Sequence, residues 1–285
     1  MEPKPIWITL AALACLGIYL LVSAPPPLED RSARQARIPV AALFEILEAE
    51  NDAVRSLWAR EFVGEGKKNG LQFSEHWRDA DLEAGPLPAQ FLRETAKSLE
   101  KNPSPLSLFL GSDYPINPAN RFEGAQREFF RALRQSRKPQ FFFMADTGLQ
   151  VGMFEDVAVS ESCVQCHNRH EQTPKNDWAL NDIMGATTWM YPETTVTMEE
   201  LIETVAALQQ GFDEAYAAYL EKAKTFRNPP GIGEHWPHEG YYVPDAATFR
   251  AGVLSRTAAL TFRALTALTA TARTKSPEVF HAASN

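Results

Sequence analysis

The apolar positions of this chain change period repeatedly. From Ile6 to Ser23 they are nearly continuous: 18 residues carry no charge, bracketed by Pro5 and by Pro25-Pro26-Pro27. At about 1.5 Å per residue such a helix reaches roughly 27 Å, enough to cross the hydrocarbon core of a bilayer. A cleaved signal peptide is the competing reading. It would use Lys4 as its basic region and Val22-Ser23-Ala24 as a loose small-residue site, but Pro25 would then follow the cut. We expect an uncleaved transmembrane anchor over residues 1–24 and a Pro- and charge-rich linker over 25–38. From Val40 to Phe62 the spacing of Leu43, Leu47, Val54, Leu57, Trp58 and Phe62 predicts a helix. Gly64, Gly66 and Gly70 then loosen the chain. Pro86 and Pro88 precede a helix predicted over Ala89–Glu100. Pro103, Pro105, Pro115 and Pro118 predict a turn-rich connection, and a further helix is expected over Ala119–Gln135.

The period then shortens. Gln140–Met144 and Gln150–Val159 read as two strands around Asp146-Thr147-Gly148, and Ile183–Met190 as a third. After Thr195 the pattern returns to one helical stripe through Met198, Leu201, Val205, Leu208, Phe212, Tyr216, Tyr219 and Phe226. Pro229, Pro230, Pro237 and Pro244 break it before a last helix over Asp245–Ala272. These elements predict an α+β fold: a small antiparallel sheet preceded by helices over 39–195, then a helical C-terminal extension over 196–285.

Charge and cysteine content narrow the function. The formal net charge is −8 and no basic stripe stands out, which argues against nucleic acid as a partner. Of the three cysteines, Cys15 lies in the apolar N-terminal run, so the folded part owns only Cys163 and Cys166. Two cysteines make no disulfide framework. They stand in Cys163-Val164-Gln165-Cys166-His167. Thiols three residues apart lie on one side of a helical turn, placed to form two thioethers with the vinyl groups of one haem. The next residue then offers its imidazole as an axial ligand. A redox disulfide is an alternative that lacks its usual strand-helix context here. A zinc site from Cys163, Cys166, His167 and His170 would need eight consecutive residues to wrap one tetrahedral ion. We expect one covalent haem c.

The residues around the motif carry a resemblance. The run CVQCHNRHEQTPKNDWALNDIMGA, with Asn168, Pro174, Lys175, Asp177, Trp178, Asp182 and Gly185, is similar to the haem-c-binding, PAS-like sensor domains found in bacteria, often ahead of cyclases or kinases. Asn117-Pro118-Ala119-Asn120 resembles the Asn-Pro turn that precedes a helix in that family. Asn181 departs from the pattern, since Gly is expected before the Asp. The resemblance covers roughly Val40 to Pro192. It implies a PAS-like fold with haem between the sheet and the N-terminal helices, and it leaves the sixth iron ligand open. Some relatives use a Cys, which the folded part here does not have to spare. His76, in the segment Gly70–Trp77, is the candidate, with Met144, Met184 and His170 as rivals. Arg121 and Lys175 are candidates to neutralise haem propionates. His235-Trp236-Pro237-His238 reads as a loop capping the C-terminal helices.

Three functions follow from this reading. A membrane-anchored monohaem cytochrome would serve electron transfer beside a protein partner or a larger membrane complex. A redox or gas sensor would signal through a separate protein. A peroxidase-like enzyme would need distal acid-base groups that the sequence does not display. Arg31, Arg34 and Arg37 follow the anchor whereas Lys4 precedes it, a bias that favours a cytoplasmic domain. Covalent haem attachment takes place outside, so the expected location is the periplasmic face of the inner membrane.

Overall fold

The computed structural model describes Tyr19, residues 37–101 and residues 104–274, with side chains to 268. The expected anchor over 1–24 and most of the linker over 25–38 lie outside the described residues. Among the described residues no helix is long and apolar enough to cross a membrane.

A two-residue strand β1 (Ile38–Pro39) leads into α1 (Val40–Leu57), which runs on without a break as a π-helix, Trp58–Gly64, and then α2 (Glu65–Lys68). Helix α1 buries Leu43, Phe44, Leu47, Val54 and Leu57 along one stripe, as the 3.6-residue period requires. The wider π turn sets Trp58 and Phe62 in stacked contact, with ring centroids 4.3 Å apart. After the short parallel pair β2 (Phe73–Ser74) and β3 (Gly85–Pro86) comes α3 (Pro88–Lys101).

The central sheet is built from β4 (Ser107–Gly111), β5 (Gln140–Met144), β6 (Leu149–Val157) and β7 (Ile183–Tyr191), all antiparallel, in the order β4-β7-β6-β5. Helix α4 (Gly124–Ser136) precedes β5, and α5 (Glu161–Arg169) is inserted between β6 and β7. Strand β4 falls inside the stretch that its prolines mark as turns. Those prolines flank the strand rather than interrupt it, and Leu108 and Leu110 feed one core while Phe109 feeds another. The helix expected from Ala119 starts later, at Gly124. Pro118–Asn120 forms a separate 3-10 turn, capped where Asn117 Oδ1 accepts the Ala119 N–H at 3.0 Å.

Both faces of the sheet are covered. On one, Gly152 lets Phe44 of α1 approach so closely that an added Cβ would meet its ring at 2.6 Å. On the other, Phe130 and Leu133 of α4 pack on Met153, Ile183 and Ala186, and Phe129 stacks on Phe142 at 3.9 Å.

The C-terminal part adds β8 (Thr195–Val196), which pairs with β1, and then α6 (Met198–Ala223), β9 (Gly231–Gly233), β10 (Tyr242–Pro244) and α7 (Ala246–Thr274). A capping box starts α6: Thr197 Oγ1 accepts the Glu200 N–H at 3.1 Å, and Glu200 Oε2 accepts the Thr197 N–H at 2.6 Å. Helices α6 and α7 share one core with α1 and α3. At its centre the fully buried Trp58 lies between Phe62 and Phe91, with Tyr216, Tyr219 and Phe249 edge-on. The Trp58 Nε1–H donates to Pro86 O at 2.9 Å, so the one polar atom of that ring is satisfied.

Candidate haem-attachment site

Helix α5 is amphipathic, yet none of its residues is buried. Ser160 stands at its N-terminus, where Ser160 O accepts the Cys163 N–H at 3.0 Å and the hydroxyl lies 3.1 Å from Cys163 Sγ. Cys163 and Cys166 follow each other round one turn and carry free, half-buried thiols. Burial pushes the Cys166 thiol up, with Glu75 and Cys163 adding to the rise and Lys67 opposing it, so the sulfur keeps its proton at neutral pH. Burial, followed by the nearby His170, holds the His167 imidazole below its ordinary value. A neutral ring has a lone pair to give to a metal. The donor set therefore fits haem c: two thiols on one helical turn and an adjacent neutral imidazole. Among the described residues no three His, Cys, Asp or Glu side chains converge to hold a bare ion, so Cys163, Cys166, His167 and His170 form no zinc cage as placed.

The helix is held in place by backbone clamps. Asn168 binds the main chain of Trp178 at both ends, its Nδ2 donating to Trp178 O and its Oδ1 accepting the Trp178 N–H, each at 2.9 Å. Trp178 in turn packs with Ala158 and Met184 against Cys163 and Val164. The return into β7 is tied to the exit of β6: Ala158 N–H donates to Asp182 O and Asn181 N–H to Ala158 O, both at 3.0 Å. Asp182 Oδ2 accepts the Ala179 N–H at 2.8 Å. Asn181 has φ of 69°, the left-handed region open to Gly and, less freely, to Asn. Asn181 thus stands in a conformation that a Gly adopts freely.

The remaining candidates fall in different places. His76 is exposed, its Nε2 3.5 Å from Glu75 Oε1. The same carboxylate oxygen lies 2.8 Å from His170 Nε2, which pins the Gly70–Trp77 segment to the C-terminal end of the motif helix. Lys175 pairs with Asp177 and sits 4.5 Å above the Trp178 ring, one side chain away from Cys163. Met184 belongs to the Cys163 cluster itself, whereas Met144 lies at the hairpin end of β5, where Gln126 Nε2 approaches its sulfur at 3.7 Å. Arg121 is exposed beyond the 3-10 turn, bridged through its backbone to Ser112.

Several residues here escaped sequence reasoning. Ser160 had a signal, a helix-starting Ser three residues before the motif cysteine. Glu75 had none, because its role depends on a loop distant in sequence. Nor did Glu48, which accepts the Trp189 Nε1–H at 2.8 Å beside a cavity of about 480 Å³ lined in part by Arg55, Val157 and Val159. Burial pushes the Glu48 carboxyl up to about 8.

Residues 30–192, which span the sheet and the motif helix, match the Tll0287-like family of c-type cytochrome-like domains. The match covers more than half of the chain. The chain belongs to the Tll0287-like family. No curated protein and no solved structure matches it. The Tll0287-like region ends with β7, so α6 and α7, which complete the core around Trp58, lie beyond it.

Proposed function

We propose that this chain is a membrane-anchored monohaem c-type cytochrome, working in electron transfer or redox partnering on the periplasmic side of the inner membrane. The observation that carries the reading is helix α5: Cys163, Cys166 and His167 share one short helix on which they stay only half-buried, inside a Tll0287-like domain. The two thiols would add across the haem vinyl groups, and the neutral His167 would ligate the iron. The bound group would supply a one-electron redox couple. The chain's own work is to hold the attachment helix rigid through Asn168 and Trp178 and to place Lys175 and Trp178 beside Cys163. Glu75 links His76 and His170 next to that helix, which supports His76 as a second residue that would hold the iron. A PAS-like sensor is the second reading, favoured by the insertion of α5 between two adjacent strands, where any shift of the helix is felt by β6 and β7.

The test is spectroscopic, on the purified full chain. Denatured protein is expected to retain a pyridine haemochrome of c type, lost in Cys163→Ser/Cys166→Ser. No haem absorbance after denaturation would sink the proposal. A reduced spectrum unchanged by carbon monoxide, and made sensitive to it by His76→Ala, supports the closed electron carrier. A native spectrum that shifts on adding the gas supports the sensor.

A further inference from the structure

The two edges of the central sheet differ. On the β4 side, Leu108, Phe109 and Leu110 turn into the two cores and none is exposed; the chain beyond Gly111 continues the edge through the Ser112–Arg121 bridge. On the β5 side no strand lies beyond among the described residues. Strand β5, Gln140-Phe141-Phe142-Phe143-Met144, carries no charge, no proline and no bulge, the features that ordinarily blunt an edge. Phe141 and Phe143 project from the same face and are 42% and 57% exposed. An unpaired row of backbone N–H and C=O groups beside two exposed rings is a surface made for another strand.

The charges at the ends of β5 say which strand fits. Lys138 lies two residues before the strand and Asp146 in the turn two residues after it, and both side chains are exposed. If two copies of β5 pair antiparallel about a two-fold axis at Phe142, Phe141 of each copy faces Phe143 of the other. Carried past the strand ends, that same register brings Lys138 of each towards Asp146 of the other. Phe142 faces itself, on the side already covered by Phe129. Aromatic pairs therefore occupy the two positions on either side of the axis, Gln140 of each copy faces Met144 of the other, and opposite charges flank the joint, twice each by symmetry. We propose that β5 is a homodimerisation edge, joining two copies of this chain through one continuous eight-stranded antiparallel sheet.

The experiment measures the mass of the purified full-length protein in detergent by sedimentation across a concentration series, with far-UV circular dichroism to confirm folding. The wild type is expected to dimerise. Phe143→Asp puts two buried charges into the joint and is expected to leave only monomer. Lys138→Glu sets like charges opposite each other twice and is expected to weaken the dimer by about tenfold. Asp146→Lys is expected to do the same, and the double variant Lys138→Glu/Asp146→Lys to recover wild-type association. Both charge variants change solvated side chains and leave the fold intact even if Phe143→Asp does not. A wild-type monomer would overturn the proposal and leave the edge to a strand of different sequence. So would a dimer indifferent to the charge reversals, or one that the double variant fails to restore.

Discussion

The ring cluster around Trp58 and the helix that carries Cys163, Cys166 and His167 are held together in opposite ways. Trp58 is fully buried among Phe62, Phe91, Tyr216, Tyr219 and Phe249, its only polar atom bonded to Pro86 O. Its stability comes from apolar area and from stacked and edge-on aromatic contacts. Helix α5 buries none of its residues and is fixed by hydrogen bonds, chiefly the paired ones from Asn168 to the Trp178 backbone. The difference separates stability from chemistry. Close packing around Trp58 would leave no room for a cofactor, whereas a helix clamped through the Asn168 side chain keeps its thiols and imidazole available.

The sharpest way to break the comparison is Trp58→Ala. Removing that ring is expected to cost about 3–5 kcal/mol and to destabilise the whole of residues 37–274 together, read as a large fall in the urea midpoint. A loss of less than about 1 kcal/mol would mean that the core does not depend on it. A middle effect is expected from Asn168→Ala, which frees the Trp178 backbone. Local opening of residues 159–182 should become easier by about 1–3 kcal/mol, seen as faster amide exchange there and not in α1. If exchange in α1 rises equally, the two regions are one cooperative unit and the contrast fails. A third test concerns pH. Folded Glu48 holds its proton up to about 8, whereas its ordinary value is 4.5. The native state therefore binds more protons between those limits. Stability from this group is full below 4.5, falls as pH rises towards 8, and is flat above. Glu48→Gln, which still accepts from Trp189, should flatten that slope in urea midpoints taken at about pH 5 and about pH 9.

Much of the scaffold was readable from spacing. The period-two runs gave β5, β6 and β7 within two residues, and the long stripe from Met198 gave α6. Strand β4 was hidden because apolar side chains on both its faces pack into cores, which removes alternation, and because prolines crowd its flanks. The chemistry of the site was legible because Cys-x-x-Cys-His is local. The Glu75–His170 contact and the Glu48–Trp189 bond were not, since each joins segments that only tertiary packing brings together. Asn181 shows the limit from the other side: its left-handed φ explains why a Gly was expected there, but the sequence alone did not say that Asn would serve.

The lateness of α6 and α7 in the chain has a kinetic consequence. Helix α1 emerges well before them during synthesis, but its buried Glu50 is bonded by Gln209 and, 211 positions along, by Thr261. The three rings that meet Trp58 edge-on, Tyr216, Tyr219 and Phe249, arrive on those same two helices. Until they do, the nascent protein carries an open aromatic surface through the whole passage of its sheet and motif. Contacts this distant in sequence make for slow closure, and the interval before it is when the chain is most exposed to aggregation and to proteases.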